Sequence, residues 1–147
     1  PGHFVQGLSV IGNVFRSVNG SINRIDSVDT TFADLDYGKM RTITFAGNTF
    51  NNIENEVFNP AYLTHTQATA SSQWVSRTAP NLPFLGRARY VESVVADGAI
   101  TDSGGATVNQ LPWVDNNYGS DQRNVRFVFD RGLKGTLRYT ARMDNPT

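Results

Sequence analysis

The sequence predicts an all-β chain in which the last coils of a parallel β-helix run into an antiparallel, sandwich-like C-terminal unit. Three observations carry that prediction. Two stretches repeat each other 35 residues apart, Leu8-Ser9-Val10-Ile11-Gly12-Asn13-Val14-Phe15 and Ile43-Thr44-Phe45-Ala46-Gly47-Asn48-Thr49-Phe50. The tail of the chain alternates apolar and polar residues, as a half-buried strand does. The composition is that of a β protein, with 39% hydrophobic residues, only 18% charged residues and many Gly, Asn, Ser and Thr.

Each copy of the repeat has a physical logic. Leu8 and Val10, like Ile43 and Phe45, sit at alternate positions, so one face of a short strand is buried. Gly12-Asn13 and Gly47-Asn48 follow, and both residue types tolerate the left-handed backbone that turns a corner. Asn13 and Asn48 are placed to stack and share amide hydrogen bonds along the solenoid, while Phe15 and Phe50 fill its interior. The register continues through Val18 and Ile53. A coil of this kind cannot bury its apolar face alone, and at least about three such coils are needed for stability. Two visible copies therefore imply further coils upstream, with Pro1-Gly2-His3-Phe4 starting almost inside the first one.

Residues 1–63 are assigned to the terminal coils, with strands expected near 7–11, 22–28 and 40–46. Between the copies, Thr30 to Gly38 is read as a loop that stretches the coil, in preference to a capped helical turn. Composition changes after Asn59-Pro60, and residues 64–147 are assigned to the antiparallel unit. There the stretch from Ala79 to Gly86 is a rigid, proline-bearing connection. Arg89 to Val95 reads as a strand and Asp102-Ser103-Gly104-Gly105 as a turn. Two further strands follow, Asn124–Asp130 and Gly135–Met143. Val125, Phe127 and Phe129 share one side of the first, and Leu137, Tyr139, Ala141 and Met143 one side of the second. Joined through Arg131-Gly132-Leu133-Lys134-Gly135, they read as an antiparallel pair.

Thirteen basic and thirteen acidic residues cancel, so the electrostatic footprint of a nucleic-acid binder is absent. No long apolar run or signal-peptide pattern argues for membrane insertion. There is no cysteine, so packing and oligomerisation have to hold the fold together.

Solenoid coils ending in a compact antiparallel unit resemble the C-terminal part of bacteriophage tailspike proteins. The resemblance spans the whole chain in layout. Its specific residues are the two Gly-Asn-x-Phe coils and the strand-rich tail ending at Arg142-Met143-Asp144-Asn145-Pro146. It implies a right-handed β-helix, a homotrimer on the virion tail, and C-terminal units that lock or extend the trimer outside the host cell. It also implies binding of bacterial surface polysaccharide, which such proteins often cleave as hydrolases or lyases, with carboxylates on coils upstream. Trimerisation has a separate rationale, because the last coil of a solenoid leaves apolar side chains and strand edges that must be covered. The C-terminal unit is placed to cap it.

A glycan site needs an aromatic ring against the sugar, flanked by groups for its hydroxyls. One segment has that mix: Trp113 and Tyr118 would stack, while Asp115, Asn117 and Asp121 would hydrogen-bond. The competing reading is a surface loop whose Trp113 is pinned into the core by Pro112. The alternate spacing of Asp115, Asn117, Gly119 and Asp121 suits a calcium loop, yet the closing Glu and flanking helices of an EF-hand are missing. His3 and His65 lie in different units and do not read as a zinc site. No metal or cofactor is therefore assigned. For acid/base cleavage of a glycosidic bond, the candidates within the chain are Asp26, Glu54 and Glu56. Arg24 beside Asp26, or Lys39 with Arg41, would suit a lyase. Arg87 and Arg89 read as structural or inter-subunit contacts, and Trp74 as a core or interface anchor. Three functions stay open: a capping and receptor-recognition module, part of an inter-subunit depolymerase site, or a stand-alone carbohydrate-binding module.

Overall fold

The computed structural model describes residues 2–146. Pro1 and Thr147, the outer limits of the two expected units, lie outside the described residues. Strands dominate, and the helical content is two single 3-10 turns at Tyr37–Lys39 and Pro83–Leu85. Among the described residues no helix is long and apolar enough to cross a membrane.

The repeat stacks on itself in the register its sequence dictates. β1 (Gln6–Ile11) pairs in parallel with β3 (Arg41–Ala46), setting Leu8 on Ile43 and Val10 on Phe45. β2 (Val14–Arg16) pairs in parallel with β4 (Thr49–Asn51), setting Phe15 on Phe50. The two phenylalanine rings stack with centroids 5.7 Å apart. Between these strand pairs each rung turns its corner at a glycine with positive φ, Gly12 at 69° and Gly47 at 65°, a conformation that a Cβ would penalise. Asn48 Oδ1 accepts from the Asn13 backbone N–H at 2.9 Å, and Asn48 Nδ2 donates to the Val10 carbonyl at 2.9 Å. The asparagine ladder expected from the sequence is present.

The strand expected at 22–28 does not form. Ile22 makes a single parallel bridge to Ile53, and the pairing ends where the Asn23 carbonyl accepts from Asn55. Beyond it Arg24 and Asp26 turn inward instead of continuing a ladder. Arg24 donates to the carbonyls of Pro80 and Leu82 and to both oxygens of Asp26. The segment is spent on tying the first rung to the loop at 79–86.

The rest of the chain is one antiparallel sheet built on two long strands, β5 (Ala61–Arg77) and, nearest the C-terminus, Asn124–Arg142. Between them come β6 (Tyr90–Ala96), β7 (Thr101–Asp102) and β8 (Trp113–Tyr118), which makes the long C-terminal strand β9. β9 is central: β5 lies along one edge, while β6, β7 and β8 succeed one another along the other. The turn at Asp102 is present, its Oδ1 accepting from the N–H groups of Gly104 and Ala106.

The expected hairpin at 131–135 is replaced by one continuous strand that bends. Twelve residues of straight strand would span about 40 Å, yet the rings of Phe127 and Tyr139 lie 5.0 Å apart. Val125, Phe127 and Phe129 thus face Leu137, Tyr139, Ala141 and Met143 across the core as two layers and do not pair with one another. All of these odd-numbered residues are buried, and so is Leu133 at the bend. A tight turn would have exposed Leu133. Gly135, with φ of +151°, passes so close to the Ala99 carbonyl that a Cβ would come within 3.4 Å of it. β5 bends alongside through irregularities between Gln67 and Gln73, which move its buried side chains from odd (Ala61) to even positions (Trp74, Ser76). Trp74 is a core anchor, its indole N–H donating to the Ser71 and Leu133 carbonyls.

One apolar core joins both regions, running from Met40, Ile43 and Phe45 to Leu133. The lower edge of β3 is sealed by polar groups. The Asn59 backbone bridges Phe45, and Asn145 bridges Arg41. Between them the Ile43 N–H donates to Asp144 Oδ2 at 2.7 Å, and the Ile43 carbonyl accepts from Asn59 Nδ2 and Arg142 Nη2. Arg142 and Asn59 also hold the fully buried Asp144 carboxylate. A buried charge is tolerable when paired and hydrogen-bonded on all sides in this way.

Candidate functional site

Where Val125 and Phe127 point into the core, Arg126 must point out. It sits at the centre of a three-strand platform, opposite Asp115 of β8 and Val75 of β5. Its Nη2 donates to Asp115 Oδ2 at 3.0 Å and its Nη1 to Gln73 Oε1 at 3.2 Å. The guanidinium carbon lies 4.3 Å from the Tyr118 ring centre and 5.6 Å from that of Trp113, both within cation–π range. An irregularity between Asp115 and Tyr118 brings both residues to the same side of β8, around one arginine. Nε of Arg126 is buried and has no hydrogen-bond partner.

Trp113, with 58% of its surface exposed, is not pinned into the core, despite Pro112 beside it. One stacking surface is therefore free while Tyr118 is occupied by Arg126. Since Asp115 neutralises Arg126, the platform offers an aromatic face ringed by hydrogen-bonding groups with little net charge, which suits the C–H face and hydroxyls of a neutral sugar.

Three of the five residues singled out in the sequence converge here: Trp113, Asp115 and Tyr118. Asn117 is turned away, lining a separate depression with Tyr37, Arg87 and Met143. Asp121 is engaged by Arg77 at 2.9 Å and by the Arg123 backbone N–H. Those two hydrogen bonds, Arg77 first, hold its carboxyl below the usual range. With Asp115 and Asp121 each committed to an arginine, the calcium-type spacing gathers no cluster, and no group of three or more metal-ligating side chains occurs among the described residues. Arg126 and Gln73 are the site residues that inspection of the sequence missed. The signal for Arg126 was its even position on a strand whose odd positions are apolar.

The carboxylates considered for catalysis are dispersed. Asp26 is buried, held in a bidentate pair by Arg24 at 2.9 Å and accepting from the Phe84 N–H at 2.6 Å. Its oxygens are occupied in joining the first rung to the loop at 79–86. Glu54 is exposed and accepts from Ser21 Oγ at 2.9 Å, and Glu56 is exposed on irregular backbone. No described contact links the three carboxylates.

No protein-family model matches this chain, and neither a curated protein nor a solved structure gives a significant match.

Proposed function

We propose that this chain is the C-terminal capping and receptor-recognition module of a tailspike-type β-helix protein. In this reading two terminal rungs of a right-handed parallel β-helix are closed by an antiparallel sandwich. The sandwich trimerises on the virion tail and contacts bacterial surface polysaccharide through Trp113 and Arg126.

The observation that carries the reading is the asymmetry of the two rungs. The lower edge of β3 is sealed by Asn59, Asp144 and Asn145, whereas Leu8 and Val10 of the first rung, stacked on the buried Ile43 and Phe45, are only half-buried. A solenoid end has this form, closed on one side and open to further coils on the other. Exposed apolar side chains, Tyr62 and Val95 on the sheet and Leu111 just before β8, support a covering by neighbouring copies. The commitment of Asp26 to Arg24 favours a binding role over a catalytic one within these residues.

Sedimentation equilibrium tests the assembly, with a trimer expected and a stable monomer overturning it. Glycan recognition is tested by titrating host surface polysaccharide into the chain and into Trp113→Ala. Binding that survives the substitution unchanged would remove the platform from the proposal.

A further inference from the structure

A cleft of about 460 Å³ opens between the first rung and the loop that joins β5 to β6, and none of its lining residues belongs to the Trp113 platform. Its floor is the buried pair of Arg24 and Asp26, neutral as a unit and fully hydrogen-bonded. Its walls include Tyr37, Phe84, Arg87 and Arg123.

Two features make this more than a gap between segments. The first is charge. Among the described residues neither Arg87 nor Arg123 forms an ion pair within 4 Å, and Asp121, which acts on Arg123 only beyond that distance, is itself paired with Arg77. Arg87 rests on the Tyr37 ring at 5.6 Å, and Arg123 uses only Nε, on the Leu85 carbonyl at 3.0 Å. Asp34 is the one lining carboxylate outside an ion pair, leaving the cleft with an excess of positive charge. The second is a strained wall. Phe84 and Leu85 have φ of 58° and 53°, a region that residues with a Cβ avoid unless their surroundings enforce it. Three groups lining the cleft enforce it here: Asp26 accepts from the Phe84 N–H, the Tyr37 hydroxyl donates to the Phe84 carbonyl, and Arg123 donates to Leu85.

We propose that this cleft is a second binding site, taking a sugar residue that carries a carboxylate, such as a uronate. The free guanidinium nitrogens of Arg87 and Arg123 receive the carboxylate, which arginine binds in a planar, two-point fashion. Tyr37 and Phe84 supply the apolar edge for the pyranose ring. The site shares with the Trp113 platform a class of ligand and no residue, so the two stand or fall separately.

The test is calorimetric titration of the chain with galacturonate and glucuronate tetrasaccharides, their carboxyl-reduced counterparts, and inorganic phosphate. At least one acidic tetrasaccharide is expected to bind, and its reduced form to bind about tenfold or more weakly, the loss of a charge-assisted pair. Arg87→Gln is expected to weaken binding and Arg87→Glu to weaken it further. Arg87→Lys, which keeps the charge, should retain part of it. Arg87 is an exposed side chain, so these variants keep the fold, which their thermal melts would verify. The proposal is overturned if neither acidic sugar binds, if the reduced sugars bind equally well, if Arg87→Glu has no effect, or if phosphate binds as tightly as the sugar.

Discussion

The two rungs carry nearly the same eight-residue pattern and meet different fates. Ile43 and Phe45 of the lower rung are 0% and 3% exposed, whereas Leu8 and Val10, their partners in the ladder, are only half-buried. The lower rung is roofed by the upper one and floored by Asn59, Asp144 and the core of the antiparallel sheet. The upper rung has one neighbour. Local sequence thus sets the shape of each repeat, but burial and stability come from what packs on either side of it.

The strongest way to break that comparison is to unseal the lower rung. Asp144→Ala removes the carboxylate that receives the Ile43 N–H and takes from Arg142 its buried partner, leaving only the more distant Glu92 at 3.8 Å. Removing one partner of a buried pair costs about 3–5 kcal/mol, which urea unfolding would measure. A loss below about 1 kcal/mol would mean that the seal does not hold the rung. Next in size is a matched pair of truncations. Ile43→Ala should cost about 2–5 kcal/mol, and Leu8→Ala, at the equivalent position of the half-buried rung, clearly less. Equal costs would show that the upper rung is covered in solution, by another copy or by self-association.

These expectations also mark where the sequence was informative. The repeat was legible because Gly-Asn corners and alternating apolar residues are local signals, and the ladder pairs Leu8 with Ile43 and Phe15 with Phe50 as the alignment does. The seal was not legible, since Asn59, Arg142 and Asp144 meet Ile43 only through contacts 16 to 101 residues apart. At 131–135 the two glycines read as a turn. The apolar odd positions on both sides, with Leu133 in phase between them, were the better guide, because a tight turn has no reason to keep Leu133 in phase with Val125 and Met143. Within the candidate site, Trp113, Asp115 and Tyr118 were visible as residue types. Their gathering around Arg126 depends on an irregularity in β8, which periodicity does not report, and that same irregularity turns Asn117 away.

A substitution in the antiparallel sheet sharpens the comparison by asking whether the rungs share its fate. Tyr139 is buried and its hydroxyl lies 2.6 Å from Ser76 Oγ. Tyr139→Phe leaves Ser76 unpaired and should cost about 1–2 kcal/mol. Burial pushes the Tyr139 phenol above its ordinary value of 10.0, with the Ser76 hydrogen bond partly opposing. Above that value the unfolded chain loses its proton while the folded one keeps it, so the unfolded state binds fewer protons and stability falls as pH rises. This contribution is complete below pH 10 and is lost as pH climbs towards the folded value. Tyr139→Phe should flatten that alkaline decline. Because one core joins both regions, global-unfolding exchange of the buried Ile43 amide should follow the same trend, and an Ile43 amide indifferent to Tyr139 would divide the molecule into two cooperative units.

The smallest effect tests the ladder itself, and it is asymmetric for the same reason as the burial. Asn48 reaches up to the first rung with both ends of its amide, accepting from the Asn13 N–H and donating to the Val10 carbonyl. Asn13 donates to Asn48 and to the Ile11 carbonyl of its own rung, with no rung above it among the described residues. Asn48→Ala should therefore cost about 1–2 kcal/mol, and Asn13→Ala only a few tenths, near the usual range for an exposed substitution. The order of the two is the informative outcome. If Asn13→Ala proves the more costly, Asn13 has a partner above it in solution, and the open rung is not the free end.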